Sequence, residues 1–132
     1  MNQEYENILN LKNIEVPDKM TKMDNSKMLS DLRSAGGWFV GEYAALIFEN
    51  YDQLQSDKSY KSEFIKKIYR ERCRDSDLGG TITRVNSLLR IIRRHELANA
   101  LKYVIDSDNI NKNDPDAVKA AQLTLKQLIN KC

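Results

Sequence analysis

An all-α fold, a compact bundle of five to six helices in a single domain spanning residues 1–132, is predicted by three observations. Apolar residues recur at spacings of three and four along most of the chain. No run of alternating β-branched residues bounded by turns persists, so no sheet is expected. The composition, 41% apolar and 30% charged with five Gly and two Pro in 132 residues, is that of a globular helical chain of single-core size.

Residues 1–25 are expected to form a partly irregular N-terminal arm. A short amphipathic stretch at Glu4–Leu11 carries Tyr5, Ile8 and Leu9, and Pro17 with the polar cluster after it marks a connector. A long helix is predicted to start at Asn25 or Ser26 as N-cap, with Met28, Leu32, Ala35, Phe39, Tyr43, Leu46 and Ile47 on its buried side. Gly36 and Gly37 in its middle are predicted either to split it or to admit a closely packed neighbour, since each disfavours a helix by about 1 kcal/mol against Ala.

The third predicted helix runs from Ser59 to Arg74, with Phe64, Ile65, Ile68 and Tyr69 on one side, and ends in Asp75–Gly80, where Gly79 and Gly80 suit a left-handed connection. Thr81 is the expected cap of a fourth helix through Arg94, whose stripe is Ile82, Val85, Leu88, Leu89 and Ile92. A fifth covers Glu96–Ile105 with Leu97, Leu101, Val104 and Ile105. The last has the strongest start signal: Asp114 as cap, Pro115 as first helical residue and Asp116 at the positive end of the dipole, followed by Val118, Ala121, Leu125, Leu128 and Ile129. Leu32, Phe39, Phe64, Ile68, Val85, Leu89, Ile92, Leu101 and Leu125 are the predicted core.

Several function classes lack their residues. Cys73 and Cys132 form no CxxC pair, so neither a disulfide framework nor a thiolate metal site is supported, and a reducing, cytoplasmic setting is expected. The N-terminus has no basic segment followed by an apolar one, and the most apolar stretch, Ala35–Phe48, is short for a bilayer and carries Glu42, so no membrane role is expected. Asp75 and Asp77 open like a calcium loop, but Gly79 and Asn86 stand where ligands are needed. His95-Glu96 lacks the second histidine of a zinc protease helix, and phosphate-cradling glycine motifs and nucleophile elbows are absent. No cofactor, metal ligand or catalytic residue is assigned, and the chain is expected not to be an enzyme.

Charge distribution is the feature that bears on partners. The net charge of +2 divides into −5 over residues 1–57, +7 over 58–95 and zero over 96–132. At about 100° per residue, Lys66, Lys67, Arg70 and Arg74 fall opposite the apolar side of the third predicted helix. Arg90 and Arg94 fall opposite the stripe of the fourth, with Arg84 and Arg93 on its flanks. These eight residues are predicted to form a basic outer face that contacts DNA or RNA phosphates. An acidic protein surface is the alternative partner for this face, and if acids of the first third neutralise it and leave an apolar patch exposed, the chain is expected to be a protein-interaction or inhibitory, regulatory module.

Residues Arg90-Ile91-Ile92-Arg93-Arg94-His95 also have the R-x4-H spacing of the HEPN ribonucleases, small all-helical domains that this segment resembles over six residues. That resemblance implies action of Arg90 and His95 on an RNA phosphate and 2′-hydroxyl, but Ile91 stands where the family usually has a polar residue. A lone histidine at a helix boundary is read first as a capping or surface residue.

Overall fold

In the computed structural model the described residues are 18–72 and 75–131, with side chains described for 26–71 and 75–130. The predicted segment Glu4–Leu11, Cys73, Arg74 and Cys132 lie outside the described residues. Eight helices and no strand are present among them: α1 (Asp18–Ala35), α2 (Gly37–Glu49), α3 (Tyr51–Ser56), α4 (Lys58–Arg72), α5 (Leu78–Arg93), α6 (Leu97–Asp106), α7 (Asp108–Asn113) and α8 (Pro115–Lys131).

The all-helical class and the start of α8 at Pro115 agree with the sequence, whereas the expected number of five to six helices is too low. Two single-turn helices account for much of the difference. In α7, Ser107 accepts a hydrogen bond from the Ile110 amide at 3.2 Å, and the Asn111 amide group donates to the carbonyls of Ile105 and Ser107. Side-chain caps of this kind stabilise one turn without an apolar stripe, so periodicity does not detect it. Helix α1 also begins earlier than expected, and Asn25 and Ser26 lie inside it. Residues 18–25 hold no Gly or Pro, so nothing in them stops a helix.

Gly36 ends α1 with φ of 87°, a left-handed conformation that a side chain resists, and α2 leaves in a new direction. Helix α2 (GWFVGEYAALIFE) is apolar almost all round, and such a helix belongs in the interior. It contacts α1, α3, α5, α6 and α8. A Cβ on Gly41 would collide with the Ala117 carbonyl oxygen, so this glycine lets the α2 and α8 backbones cross closely. Phe39 stacks on Tyr43 with ring centroids 4.9 Å apart and meets Trp38 edge-on.

The core is continuous. Phe39, Ile68, Val85, Leu89, Ile92, Leu101 and Leu125 are buried as predicted, while Leu32 and Phe64 are only partly so. Leu54, Leu88 and Ile91 join them.

Helix α5 starts three residues before its expected cap. Asp77 is the N-cap, accepting from the Gly80 amide at 3.1 Å, so Gly79 and Gly80 sit in the first turn and not in a left-handed connection. Its C-terminus closes with His95 at φ of 61°: the His95 amide donates to Ile92 O and the Glu96 amide to Ile91 O, the paired bonds of a Schellman motif. The histidine is exposed and serves as the left-handed residue that glycine usually supplies.

Two stability outcomes follow. Leu101→Ala, at a side chain with no solvent exposure, is expected to lower unfolding free energy by about 2–5 kcal/mol in a denaturant titration. His95→Gly is expected to raise it by about 0.5–1 kcal/mol, because the left-handed backbone conformation no longer opposes a Cβ.

Candidate interaction surface on helices α4 and α5

Helix α5 is flanked by α1, α2, α4 and α6, which leaves a narrow strip of it open to solvent. Ile82, Thr83 and Arg93 are exposed on that strip, with Asn86 and Arg90 half-buried. The side opposite Leu88 and Ile92 thus lies partly on this open strip and partly beside α1. Arg90 and Arg94 stand at its α1 edge and pair with an acid of that helix.

Arg90 and Arg94, four residues apart and so on one side of the helix, converge on Asp31 of α1. Arg90 donates through Nε to Asp31 Oδ1 at 3.0 Å and through Nη2 to the Ser87 hydroxyl at 3.1 Å. Arg94 donates through Nη2 to Asp31 Oδ2 at 2.7 Å and through Nε to Glu96 Oε1 at 2.8 Å. Each Asp31 oxygen thus has its own arginine, and two cations face two carboxylates with no net charge. Asp31 is almost fully enclosed, with its side chain 12% exposed. Burial alone would raise its carboxyl pKa; the hydrogen bonds and charges of Arg90 and Arg94 outweigh that and hold it below the usual aspartate value. Burial likewise opposes the charged form of Arg94, and the bonds to Asp31 and Glu96 reverse the effect, raising its pKa.

Arg84 is committed elsewhere. Its Nε donates to Asp75 Oδ1 at 2.9 Å and its Nη1 to the Ala35 carbonyl at 2.7 Å, while its guanidinium lies 5.2 Å from the centre of the Trp38 ring. It supplies the last turn of α1 with a donor at the break made by Gly36, and it ties α5 to α2. Asp75 also accepts from the Thr81 hydroxyl at 2.8 Å. The two acids that look like the opening of a calcium loop therefore organise the start of α5.

The residues expected on the basic face accordingly have different surroundings. Arg84 and Arg94 are half-buried and ion-paired beside the α1–α2 junction and α1. Arg90 keeps 41% of its side chain exposed beside its ion pair. Lys66, Lys67 and Arg70 do lie on the outward side of α4, with Lys66 3.6 Å from Glu63, and Arg93 is exposed on α5. Arg74 is outside the described residues.

Two grooves line α4. One, of 370 Å³, runs between it and the end of α2 over Leu46, Tyr60, Phe64 and Ile68, with Lys67, Glu63 and Glu71 around it. There the Tyr60 hydroxyl donates to Asn50 Oδ1 at 2.9 Å. The other, of 230 Å³, lies between α4 and α5 and is lined by Lys58, Lys61, Ser62, Ile65, Leu78, Ile82 and Asn86. The sequence marks none of Lys58, Lys61, Ser62 and Leu78, and it places Ile65 and Ile82 on apolar faces, yet Ile82 is 40% exposed. Ile82 lies about 60° from Val85 on the helical projection, at the margin of the stripe, and this was the available signal. Asp31 had a clearer one, being three residues after Met28 and four before Ala35, on the apolar side of its helix, where a charge needs a partner.

Among the described residues, no group of His, Cys, Asp and Glu could hold a metal ion, and no helix is long and apolar enough to cross a membrane. No family model matches the chain, nor does any curated protein or solved structure.

Asp31→Asn is expected to cost about 1–3 kcal/mol at pH 7, because it leaves two arginines short of a charged acceptor. Asp31 has a folded pKa below its unfolded one, so its contribution is present above about pH 4 and is lost as pH falls through the lower folded value. Urea titrations of wild type and variant should therefore converge as the pH is lowered below about 4.

Proposed function

We propose that this chain is a non-enzymatic helical module that binds another protein through the exposed side of α4 and α5. The observation that carries this is the pairing of Arg90 and Arg94 with Asp31, which offsets the charge of cations on α5 while Ile82 on the same helix stays exposed. An acid of the first third neutralises arginines of the basic middle, the arrangement that favours a protein partner over a phosphate backbone.

A nucleic-acid partner is the second reading, favoured by the outward placement of Lys66, Lys67, Arg70 and Arg93. With these four as contacts, binding to duplex DNA would have a log–log salt slope of about −3 to −4. A HEPN-like ribonuclease is third. Its arginine would be Arg90, whose guanidinium already serves Asp31 and Ser87, and its histidine, His95, is a helix cap.

Titration of labelled duplex DNA, single-stranded DNA and RNA at 50 mM salt separates the first two. No saturable binding is expected. A complex with a slope near −3 to −4 that is lost in Lys66→Glu/Arg70→Glu would place nucleic acid first, and RNA cleavage abolished by both Arg90→Ala and His95→Ala would revive the ribonuclease.

A further inference from the structure

We propose that the groove between α4 and α5 seats an acidic amphipathic helix of the partner, an inference that rests on the protein-binding function above. Its floor is aliphatic: Ile65, Leu78 and Ile82 line it. Its charged lining, among the described residues, is Lys58 and Lys61 alone. That single sign is selective in a chain with 19 Asp and Glu against 21 Lys and Arg, and it contrasts with the neighbouring groove, where Lys67 sits with Glu63 and Glu71.

Ile82 is the focal contact. The other large aliphatics of α5 that face the core, Val85, Leu88, Leu89, Ile91 and Ile92, are at most 6% exposed, while Ile82 is 40% exposed and opens onto the groove. Its volume of 230 Å³ is on the scale of a pair of branched aliphatic side chains. Such a pair presented from one side of a helix at i and i+4 fits an open groove between two helices, the helix-in-groove mode of recognition. Carboxylates beside that pair would meet Lys58 and Lys61, and Asn86 offers one amide for a polar contact.

A nucleic acid is the weaker occupant of this place. Phosphates would gain from the two lysines, but the aliphatic floor offers no ring for a base to stack on and Asn86 is its one side-chain amide. The cations suited to phosphates, Lys66, Lys67 and Arg70, are on the outward side of α4.

The full chain, isotopically labelled, is titrated with three probes and followed by amide resonances. One is a synthetic helical peptide with leucines at i and i+4 flanked by glutamates, the second has lysines in place of the glutamates, and the third is duplex DNA. The glutamate peptide is expected to shift residues 58–65 and 78–86, and the lysine peptide to leave them unmoved. Ile82→Asp should weaken the glutamate peptide roughly tenfold or more, and Lys58→Glu/Lys61→Glu should weaken it and flatten its salt dependence. Ile82 and Lys58 are exposed and Lys61 is half-buried, and circular dichroism checks that each variant keeps its helix content.

Shifts confined to the Leu46, Tyr60 and Phe64 groove would overturn the site while leaving a protein partner in place. Equal response to the lysine peptide would overturn the acidic class of occupant. Shifts by DNA alone would overturn both this inference and the protein-binding function, and no shift at 58–65 and 78–86 with millimolar glutamate peptide would overturn the inference.

Discussion

The antiparallel packing of α1 along α5 governs most of what is distinctive about this molecule. Arg84 reaches Ala35 near the end of α1, whereas Arg90 and Arg94 reach Asp31 one turn earlier, so the two helices run in opposite directions. Once α1 lies there, the arginines on that side of α5 have lost water and need acceptors, because an unpaired charge in such a position is strongly unfavourable. Asp31 supplies them, and Glu96 completes the balance. Replacing one member leaves the others uncompensated, so the cluster fixes the register of α1 more than it adds net stability.

The same packing depends on the break at Gly36. A continuous helix through residues 26–48 would carry the apolar face of α2 away from the core. The left-handed turn lets α2 pass into the interior, where Gly41 admits α8 at backbone distance. Arg84 supports the break by donating to the Ala35 carbonyl and lying against Trp38. An arginine that resembles a surface cation in the sequence is thus a structural part of the helix junction. On the α4 side Leu46 and Ile82 stay exposed, as do Tyr103 on α6 and Leu123 on α8.

Much of the fold was legible in the sequence because it is written locally. Spacings of three and four located the cores of α2, α4, α5, α6 and α8, and Asp114-Pro115 located a boundary through the fixed φ of proline and its missing amide hydrogen. The glycine pair implied either a break or a close neighbour, and the structure has the break at Gly36 and Ile110 packed on Gly37. The caps were harder. Thr81 and Asp77 are both good N-cap residues, and the choice of Asp77 depended on Asp75 receiving Thr81 and Arg84, a contact between loop and helix. Helices α3 and α7 are a turn or so long and have no stripe to read.

The candidate surface was less legible. A helical projection separates the apolar side from the rest, but it cannot say whether the rest faces water or another helix. On α4, Lys66, Lys67 and Arg70 are exposed among the described residues; on α5, Arg84 and Arg94 are half-buried beside the α1–α2 junction and α1. By itself the sequence determined the helical class, the positions of the apolar faces and the charge imbalance along the chain, all properties of spacing and composition. Only the tertiary structure decided which arginines are paired and which aliphatics, Ile82 among them, stay exposed, because pairing across 59 to 63 residues and the covering of one helix by another depend on how the elements pack.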